Sequence, residues 1–142
     1  MKYIFLTDQF YSDYASYTEI EQKATRPYVQ LYICVNDIDF AIPFRSNINH
    51  PHAFWTDKEN RCGLDYSKSV VIEDVCYIDT ERKPHIRENE HKALIGKERE
   101  VKNGLLKYIN DYKQAKESPH KRLKRLVEYS TLQYFEKYID RL

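Results

Sequence analysis

The sequence predicts a single α+β domain in which helices pack against a mostly antiparallel sheet. Strand-like patterns occupy the first half of the chain, and residues 28–35 show the clearest alternation of side chains. A turn signal and a second apolar run follow directly, and apolar residues at helical spacing fill the last third. With 142 residues the chain can bury a core as one unit, so we expect residues 1–142 to form one domain.

The first predicted elements are a terminal strand and a β-hairpin. Residues 2–6 are apolar over too short a stretch for a signal peptide, and a first strand explains them better. Residues 28–35 form the first arm of the hairpin, with Leu31 and Ile33 on one face. The Asn36-Asp37 pair is typical of a turn, and the apolar run that follows it predicts the second arm.

Shorter elements surround this hairpin. Residues 9–17 predict either a short helix or a mobile aromatic segment, and the sequence leaves the choice open. Residues 69–72 predict a compact buried strand, and residues 75–78 predict a shorter one. Residues 80–88 are charged and contain a proline, which favours a loop.

Two helices are predicted in the last third of the chain. The first runs from about Asn89 to Ala115, with Gly96 and Gly104 as weak points. The Ser118-Pro119 pair predicts an N-cap and a first helical proline for the second helix. The second helix places its apolar residues on one buried stripe: Leu123, Leu126, Val127, Tyr134, Phe135, Tyr138, Ile139 and Leu142.

Composition excludes several classes of protein. The 23 basic and 22 acidic residues give a formal net charge of +1, so binding to nucleic acid would need a local basic patch. No apolar run approaches the roughly 18–20 residues of a membrane span, so no membrane partner is expected. Three unevenly spaced cysteines without an export signal predict reduced thiols and a cytoplasmic location. Phosphate-binding, dinucleotide-binding and zinc-protease motifs are absent, and no cofactor is expected.

The residues with the most usable chemistry fall in residues 44–58, which we predict to be one loop that leaves a strand and ends at Cys62-Gly63. Arg45 can hold a phosphate, and His50 and His52 can transfer protons near neutral pH. The other candidate side chains of this loop are Ser46, Asn47, Phe54, Trp55, Thr56 and Lys58. Together they suit metal-free RNA cleavage, in which a ribose 2′-hydroxyl attacks its own phosphate. The alternative is that the aromatic residues anchor the loop and the polar ones merely solvate it.

The spacing of His50 and His52, with Cys62 further on, is weak evidence for a metal site. A zinc site needs three or four ligands in fixed geometry, and this arrangement does not supply them. Surface histidines are the better explanation, and no metal is expected.

A basic run opens the last predicted helix. Lys121, Arg122, Lys124 and Arg125 are interrupted by apolar residues that we assign to the core, so the cations form one exposed stripe. Such a stripe can neutralise several phosphates, and the helix N-terminus adds partial positive charge. The alternative is an ordinary solvated helix face. Tyr28, at the head of the hairpin, is a further candidate for contact with ribose or phosphate.

Residues 40–50, continuing through residues 53–58 and 62–68, resemble the TenpN toxins of type III toxin–antitoxin systems, which also include the ToxN and AbiQ families. The resemblance implies a compact, partly open barrel of twisted antiparallel strands with C-terminal helices, similar to the MazF and Kid toxins. It implies a metal-independent endoribonuclease that leaves a 2′,3′-cyclic phosphate and a 5′-hydroxyl. It also implies phage defence and inhibition by a small RNA antitoxin. It further implies that the chain processes that RNA from pseudoknot-like repeats and keeps it in a closed protein–RNA assembly.

The resemblance carries over only part of the catalytic loop. ToxN-like relatives have Pro-Leu-Thr-Ser-Pro-Lys after the core strand, where this chain has residues 43–48, Pro-Phe-Arg-Ser-Asn-Ile. Ser46 matches directly, whereas Arg45 replaces the threonine and Ile48 replaces the lysine. Arg45 then supplies the positive charge, and His50 or Lys58 is left for proton transfer.

The leading hypothesis is therefore an endoribonuclease toxin with Arg45, Ser46, His50 and Lys58 as its catalytic residues. Its predicted RNA-binding residues are Tyr28, Asn47, His52, Trp55, Thr56, Arg61, Lys68, Lys121, Arg122, Lys124 and Arg125. A non-catalytic RNA-binding module that uses the same residues is the main alternative, and an adaptor that binds protein is a third.

Overall fold

The structure is a computed structural model that describes residues 1–20 and 28–142. It confirms the α+β class, with a six-stranded antiparallel sheet followed by C-terminal helices. The strands are β1 (Lys2–Ile4), β2 (Gln30–Val35), β3 (Ile38–Arg45), β4 (Ala53–Asp57), β5 (Cys62–Asp65) and β6 (Val70–Val71). The helices are α1 (Asp8–Asp13), α2 (Glu88–Leu94), α3 (Glu98–Glu117), α4 (Lys121–Glu128) and α5 (Glu136–Ile139).

The central strand of the sheet is β3. Hydrogen bonds join the strands in the order β1-β2-β3-β5-β4, and β6 pairs with β3 outside this path. Every described pair is antiparallel. Because β1 and β4 stand at opposite ends of this order, the sheet of the described residues is open.

The predicted hairpin is confirmed. Val35 of β2 faces Ile38 of β3, which leaves Asn36 and Asp37 as a two-residue turn. Both turn residues have positive φ, 50° and 65°, as a type I′ turn requires. The buried side chains of β2 include Leu31, which is fully enclosed in the core.

The prediction of one loop over residues 44–58 is wrong. The strand β3 extends to Arg45, and β4 forms from residues in the second half of that segment, so residues 46–52 alone link the two strands. Gly63 does not end a loop but lies inside β5, where it pairs with both Arg45 and Trp55. A Cβ atom on Gly63 would stand 2.1 Å from the carbonyl oxygen of Phe54, so the close pairing of β4 and β5 at this position requires glycine.

Two further local predictions have mixed outcomes. For residues 9–17 the sequence left open a short helix or a mobile aromatic segment. The structure has a short helix there, α1, which ends at Asp13 and whose first turn is capped by the Thr7 side chain. Residues 75–78 are not a strand, because Val75–Tyr77 forms a 3₁₀ helix capped by Asp74. The short polar Asp74 side chain accepts a hydrogen bond from the Cys76 backbone, which favours the turn over an extended strand.

The predicted helix over residues 89–115 is two helices. They are separated at Gly96, whose φ of 73° lies in the left-handed region and ends α2. The other weak point, Gly104, lies inside the continuous helix α3. The core face of α3 includes Val101, Leu105 and Tyr112.

The final predicted helix is also divided. It consists of α4, a 3₁₀ helix at Thr131–Tyr134, and α5. Ser118 is the C-cap of α3 and not an N-cap, since α4 starts after His120. Among the residues predicted to form one buried stripe, Phe135 and Ile139 are buried, but α4 has no buried residue. Among the described residues, no helix is both long and apolar enough to cross a membrane.

We expect Gly104→Ala to destabilise the protein, although alanine favours a helix over glycine by about 1 kcal/mol. A Cβ atom there would lie 2.3 Å from the hydroxyl oxygen of Tyr66, which is buried and donates to the Val101 carbonyl at 3.0 Å. Overpacking of this kind costs about 1–3 kcal/mol and should outweigh the gain. Urea unfolding measures the change. The same substitution in a Tyr66→Phe background should be less damaging, and equal damage in both backgrounds would contradict the proposed clash.

Candidate functional site

The candidate site is organised around one buried carboxylate. Asp65 is the last residue of β5, and its side chain has 0% exposure. It caps the 3₁₀ helix Tyr66–Lys68 by accepting from the Ser67 backbone N–H at 2.9 Å and from the Ser67 hydroxyl at 2.6 Å. The chain direction at the end of β5 therefore depends on this side chain.

Arg45 supplies the opposite charge. Its Nη1 atom donates to Asp65 Oδ2 at 2.7 Å, and its guanidinium lies 6.0 Å from the centre of the Tyr28 ring. In the sheet, Arg45 is directly opposite Gly63, two residues before Asp65 along β5. The last residue of β3 is thereby held against the end of β5.

His50 completes this group, which we call the Asp65 cluster: Arg45, His50, Asp65 and Ser67. His50 Nε2 lies 3.1 Å from both Asp65 Oδ1 and the Ser67 hydroxyl. Its Nδ1 accepts the backbone N–H of His52 at 3.0 Å. A nitrogen that accepts this bond carries no proton, so the geometry assigns a neutral ring with its proton on Nε2. Both ring nitrogens are thus engaged in holding the loop.

Two opposing effects act on the pKa of Asp65. Burial alone would raise it, but hydrogen bonds from His50, Ser67 and Arg45 stabilise the charged form and lower the pKa below its ordinary 3.8. Asp65 is therefore ionised at neutral pH. It acts as a fixed negative anchor for the arginine and the histidine that surround it.

His52 differs from His50 in its surroundings. Its ring is partly buried, edge-on to Tyr108 at 5.3 Å between ring centres. Burial, followed by the nearby His50, lowers the pKa of His52 below its ordinary 6.5. No described residue forms a hydrogen bond with its ring nitrogens, so His52 is the histidine of this loop that can accept a proton from a ligand.

A cleft of about 770 Å³ lies beside Arg45, His50 and His52, and its volume is in the range typical of ligand sites. One wall comes from Arg45 at the end of β3, from His50 and His52 in the loop that follows, and from the turn after β5. The other wall comes from α3, α4 and the residue that follows α4, Tyr129. The cleft therefore lies between the loops that follow β3 and β5 on one side and the helices α3 and α4 on the other.

The predicted basic stripe on α4 divides into two parts. Arg122 and Arg125 line the cleft, and neither forms an ion pair with another described residue. Lys121 and Lys124 are exposed but do not line it. The interpretation of Leu123 as a core residue is wrong, since it is 39% exposed and lines the cleft beside the arginines.

Lys68 has a structural role at the edge of the cleft. Its amine donates to the Glu19 carboxylate at 3.2 Å and to the Tyr129 carbonyl at 3.1 Å. These bonds join the N-terminal segment to the end of α4. A third bond runs from the amine to the Glu19 carbonyl, so all three donors of Lys68 are used within the fold and none is left for a phosphate.

Several predicted site residues lie away from the cleft. Ser46 and Asn47 are exposed and do not line it, and Asn47 takes a positive φ of 56° in the turn. Lys58 follows the far end of β4, about 16 Å along the strand from Ala53, the residue that pairs with Asp65. Ser46 and Lys58 are therefore not part of the lining of the cleft.

Arg61 and Trp55 form a clamp on the loop. Arg61 Nε donates to the Ile48 carbonyl, its Nη2 donates to the His50 carbonyl at 3.3 Å, and its guanidinium lies 5.0 Å from the Trp55 ring. Ile48 is buried, which gives a packing reason for an apolar residue there. Thr56 is likewise structural, because its hydroxyl donates across to the Cys62 carbonyl at 3.3 Å.

Sequence reasoning missed the centre of the site. Asp65 and Ser67 were not proposed, although an Asp-x-Ser pattern directly after an apolar strand is a typical capping signal. Asp111 and Gln114 of α3 also line the cleft and had no recognisable signal, since they resemble any exposed helix residues.

No three His, Cys, Asp or Glu side chains come together as possible metal ligands within residues 1–20 and 28–142. Comparison with known proteins found no matching family model, no matching curated protein and no matching solved structure.

Proposed function

We propose that this chain is an endoribonuclease toxin of the TenpN kind and that the cleft beside the Asp65 cluster binds and cuts RNA. The observation that carries the proposal is that one cleft combines Arg45, His52, Arg122 and Arg125. These residues come from the sheet, from a loop and from a helix, and they provide positive charge together with a proton acceptor.

The arginines account for binding. Arg122 and Arg125 project from one short helix, and paired guanidinium N–H donors suit phosphate oxygens. The net charge of the chain is only +1, so attraction for RNA has to come from this local group. Binding should therefore weaken steeply with added salt.

His52 and Arg45 account for cleavage. His52 takes the proton of a ribose 2′-hydroxyl, and the 2′-oxygen attacks the adjacent phosphorus. A new O–P bond forms, the bond from phosphorus to the 5′-oxygen breaks, and that oxygen takes a proton from water. The products are a 2′,3′-cyclic phosphate and a 5′-hydroxyl. Arg45, held by Asp65, stabilises the charge that builds on the phosphate oxygens.

The resemblance extends the proposal to regulation. A small RNA, processed from pseudoknot-like repeats, would occupy the same cleft after cleavage and inhibit the toxin in a closed protein–RNA assembly. Kinship of the open antiparallel sheet with the MazF and Kid barrels belongs to the same proposal. A short tandem repeat with a terminator directly upstream of the gene would support it.

A non-catalytic RNA-binding module is the second candidate. Two observations favour it: both ring nitrogens of His50 are engaged within the fold, and Ser46, the residue that matches the relatives, lies outside the cleft. A module of this kind would bind RNA with the same salt dependence but would leave it intact at any pH.

We expect Arg45→Ala to reduce RNA cleavage by about 100-fold or more, because the phosphate loses its fixed positive charge. Arg45→Lys keeps a charge beside Asp65 and should recover part of the rate. Cleavage of a labelled RNA is followed together with the chemistry of its ends. Arg99→Ala removes an exposed arginine outside the cleft and serves as the control.

Two results would contradict the assignment. If Arg45→Ala cleaves RNA and arrests growth like the parent, Arg45 is not part of the site. If the purified parent binds RNA but never yields a 2′,3′-cyclic phosphate, the binding module replaces the enzyme.

A further inference from the structure

One side chain of the cleft does not suit phosphate. Asp111 lies on its wall, although Arg45, Arg122 and Arg125 line the same cleft. A carboxylate repels a phosphate but accepts N–H groups from a base edge. If RNA occupies the cleft, as the proposed function holds, Asp111 suits the N–H groups of a base better than the phosphates of the backbone.

The position of Asp111 on α3 supports this role. Tyr108, Asp111 and Gln114 are spaced by three residues and line the cleft from one face of the helix. Asp111 Oδ2 accepts from Lys107 at 2.8 Å, but Lys107 is 75% exposed, and such surface pairs contribute little. Within the described residues, Asp111 Oδ1 and the Gln114 amide have no hydrogen-bond partner.

Tyr129 supplies a second, independent feature on the same side of the cleft. Its side chain is 60% exposed, and its ring makes no aromatic contact with a described residue. Its backbone is held in place by Lys68. An exposed aromatic ring on a held backbone, in a cleft that is also lined by arginines, is a surface on which an unpaired base can stack.

We propose that the helical wall of the cleft is a nucleobase subsite that prefers guanine in single-stranded RNA. Guanine presents N1–H and its 2-amino group side by side, and one carboxylate can accept both. Adenine and cytosine offer only an amino group to such an acceptor, and uracil offers only one ring N–H. Asp111 thus determines specificity, and Tyr129 supplies stacking that does not depend on sequence.

The test measures binding without cleavage. Short 2′-fluoro RNAs lack the attacking hydroxyl, and each carries either one guanine or one inosine in an adenine tract. Inosine keeps N1–H but lacks the 2-amino group. By fluorescence anisotropy, the parent should bind the guanine RNA about tenfold more tightly, the size expected for one hydrogen bond to a charged acceptor. Asp111→Asn should reduce this preference to within about twofold.

Two control variants separate the contributions. Lys107→Gln removes the ion pair but leaves the Asp111 carboxylate, so the preference for guanine should remain. Tyr129→Ala should weaken binding of both RNAs by a similar factor, about tenfold, and leave their ratio unchanged.

Each outcome has a separate meaning. Equal binding of both RNAs by the parent overturns the guanine subsite while the proposed RNA binding stands. An unchanged preference in Asp111→Asn overturns the role of Asp111. Guanine-selective binding without cleavage of ordinary RNA supports the subsite and overturns the catalytic step. Absence of binding to either RNA overturns both proposals.

Discussion

Asp65→Ala is expected to lower the free energy of unfolding by about 3 kcal/mol, because it leaves three partly buried polar partners, Arg45, His50 and Ser67, unpaired. Asp65 accepts hydrogen bonds from Arg45 at 2.7 Å, from the Ser67 hydroxyl at 2.6 Å and from the Ser67 backbone at 2.9 Å. His50 Nε2 lies 3.1 Å from the same carboxylate. Denaturant unfolding followed by circular dichroism measures the loss.

The loss should depend on pH in a definite direction. The folded-state pKa of Asp65 lies below its ordinary value of 3.8, so its contribution is complete above pH 3.8. The contribution disappears as the pH falls further, through the folded-state pKa. The difference in stability between the parent and Asp65→Ala should therefore shrink in acid.

A matched control separates burial from capping. Asp74 also caps a 3₁₀ helix through its side chain, but it is exposed, and no arginine or histidine of residues 1–20 and 28–142 pairs with it. Asp74→Ala should cost no more than a cap, about 0.5–2 kcal/mol. Equal losses in Asp65→Ala and Asp74→Ala would mean that the Asp65 cluster adds nothing beyond capping.

The second large effect is expected for His52→Gln, which should reduce the rate of RNA cleavage by about 10²–10⁴-fold. Glutamine keeps hydrogen-bonding capacity and similar size, but it cannot accept the proton of the 2′-hydroxyl. Single-turnover cleavage measures the chemical step directly. Binding of the uncleavable RNA should change far less than the rate.

The pH profile identifies the role of His52. Burial places the pKa of His52 below 6.5, so its ring is neutral and able to accept a proton at pH 7. The parent's rate should rise with pH through that pKa and then level off, and the remaining activity of His52→Gln should lack this rise. His85→Gln, an exposed histidine outside the cleft, should match the parent. An unchanged profile in His52→Gln would transfer the role of general base to another group.

The hairpin and the α+β class were predictable because their signals are local. Alternation in β2, the turn at Asn36-Asp37 and the helical spacing in α3 depend on neighbours along the chain. The break at Gly96 has a local cause too, since its positive φ favours glycine. Val75 shows the limit of local signals. The apolar composition of residues 75–78 predicted a strand, but Asp74 caps a 3₁₀ helix there.

The site was predictable only in part. Arg45, His50, His52, Arg122 and Arg125 were proposed as functional residues, and the structure places all five around the cleft. The sequence left proton transfer to either His50 or Lys58, whereas the geometry favours His52. That distinction depends on which ring nitrogen accepts a backbone N–H, and no spacing in the sequence encodes it.

The sequence by itself determined the class of fold, the hairpin and the segment in which reactive side chains are concentrated, because residue type and spacing are local properties of the chain. Only the tertiary structure decided that Asp65 holds Arg45 and His50. It also placed α4 across the cleft from the loop after β3 and left Ser46 and Lys58 outside the cleft. Pairing of β5 with both β3 and β4 brings these distant segments together. Burial, charge pairing and the shape of a cleft arise from such contacts between segments and are not properties of any one of them.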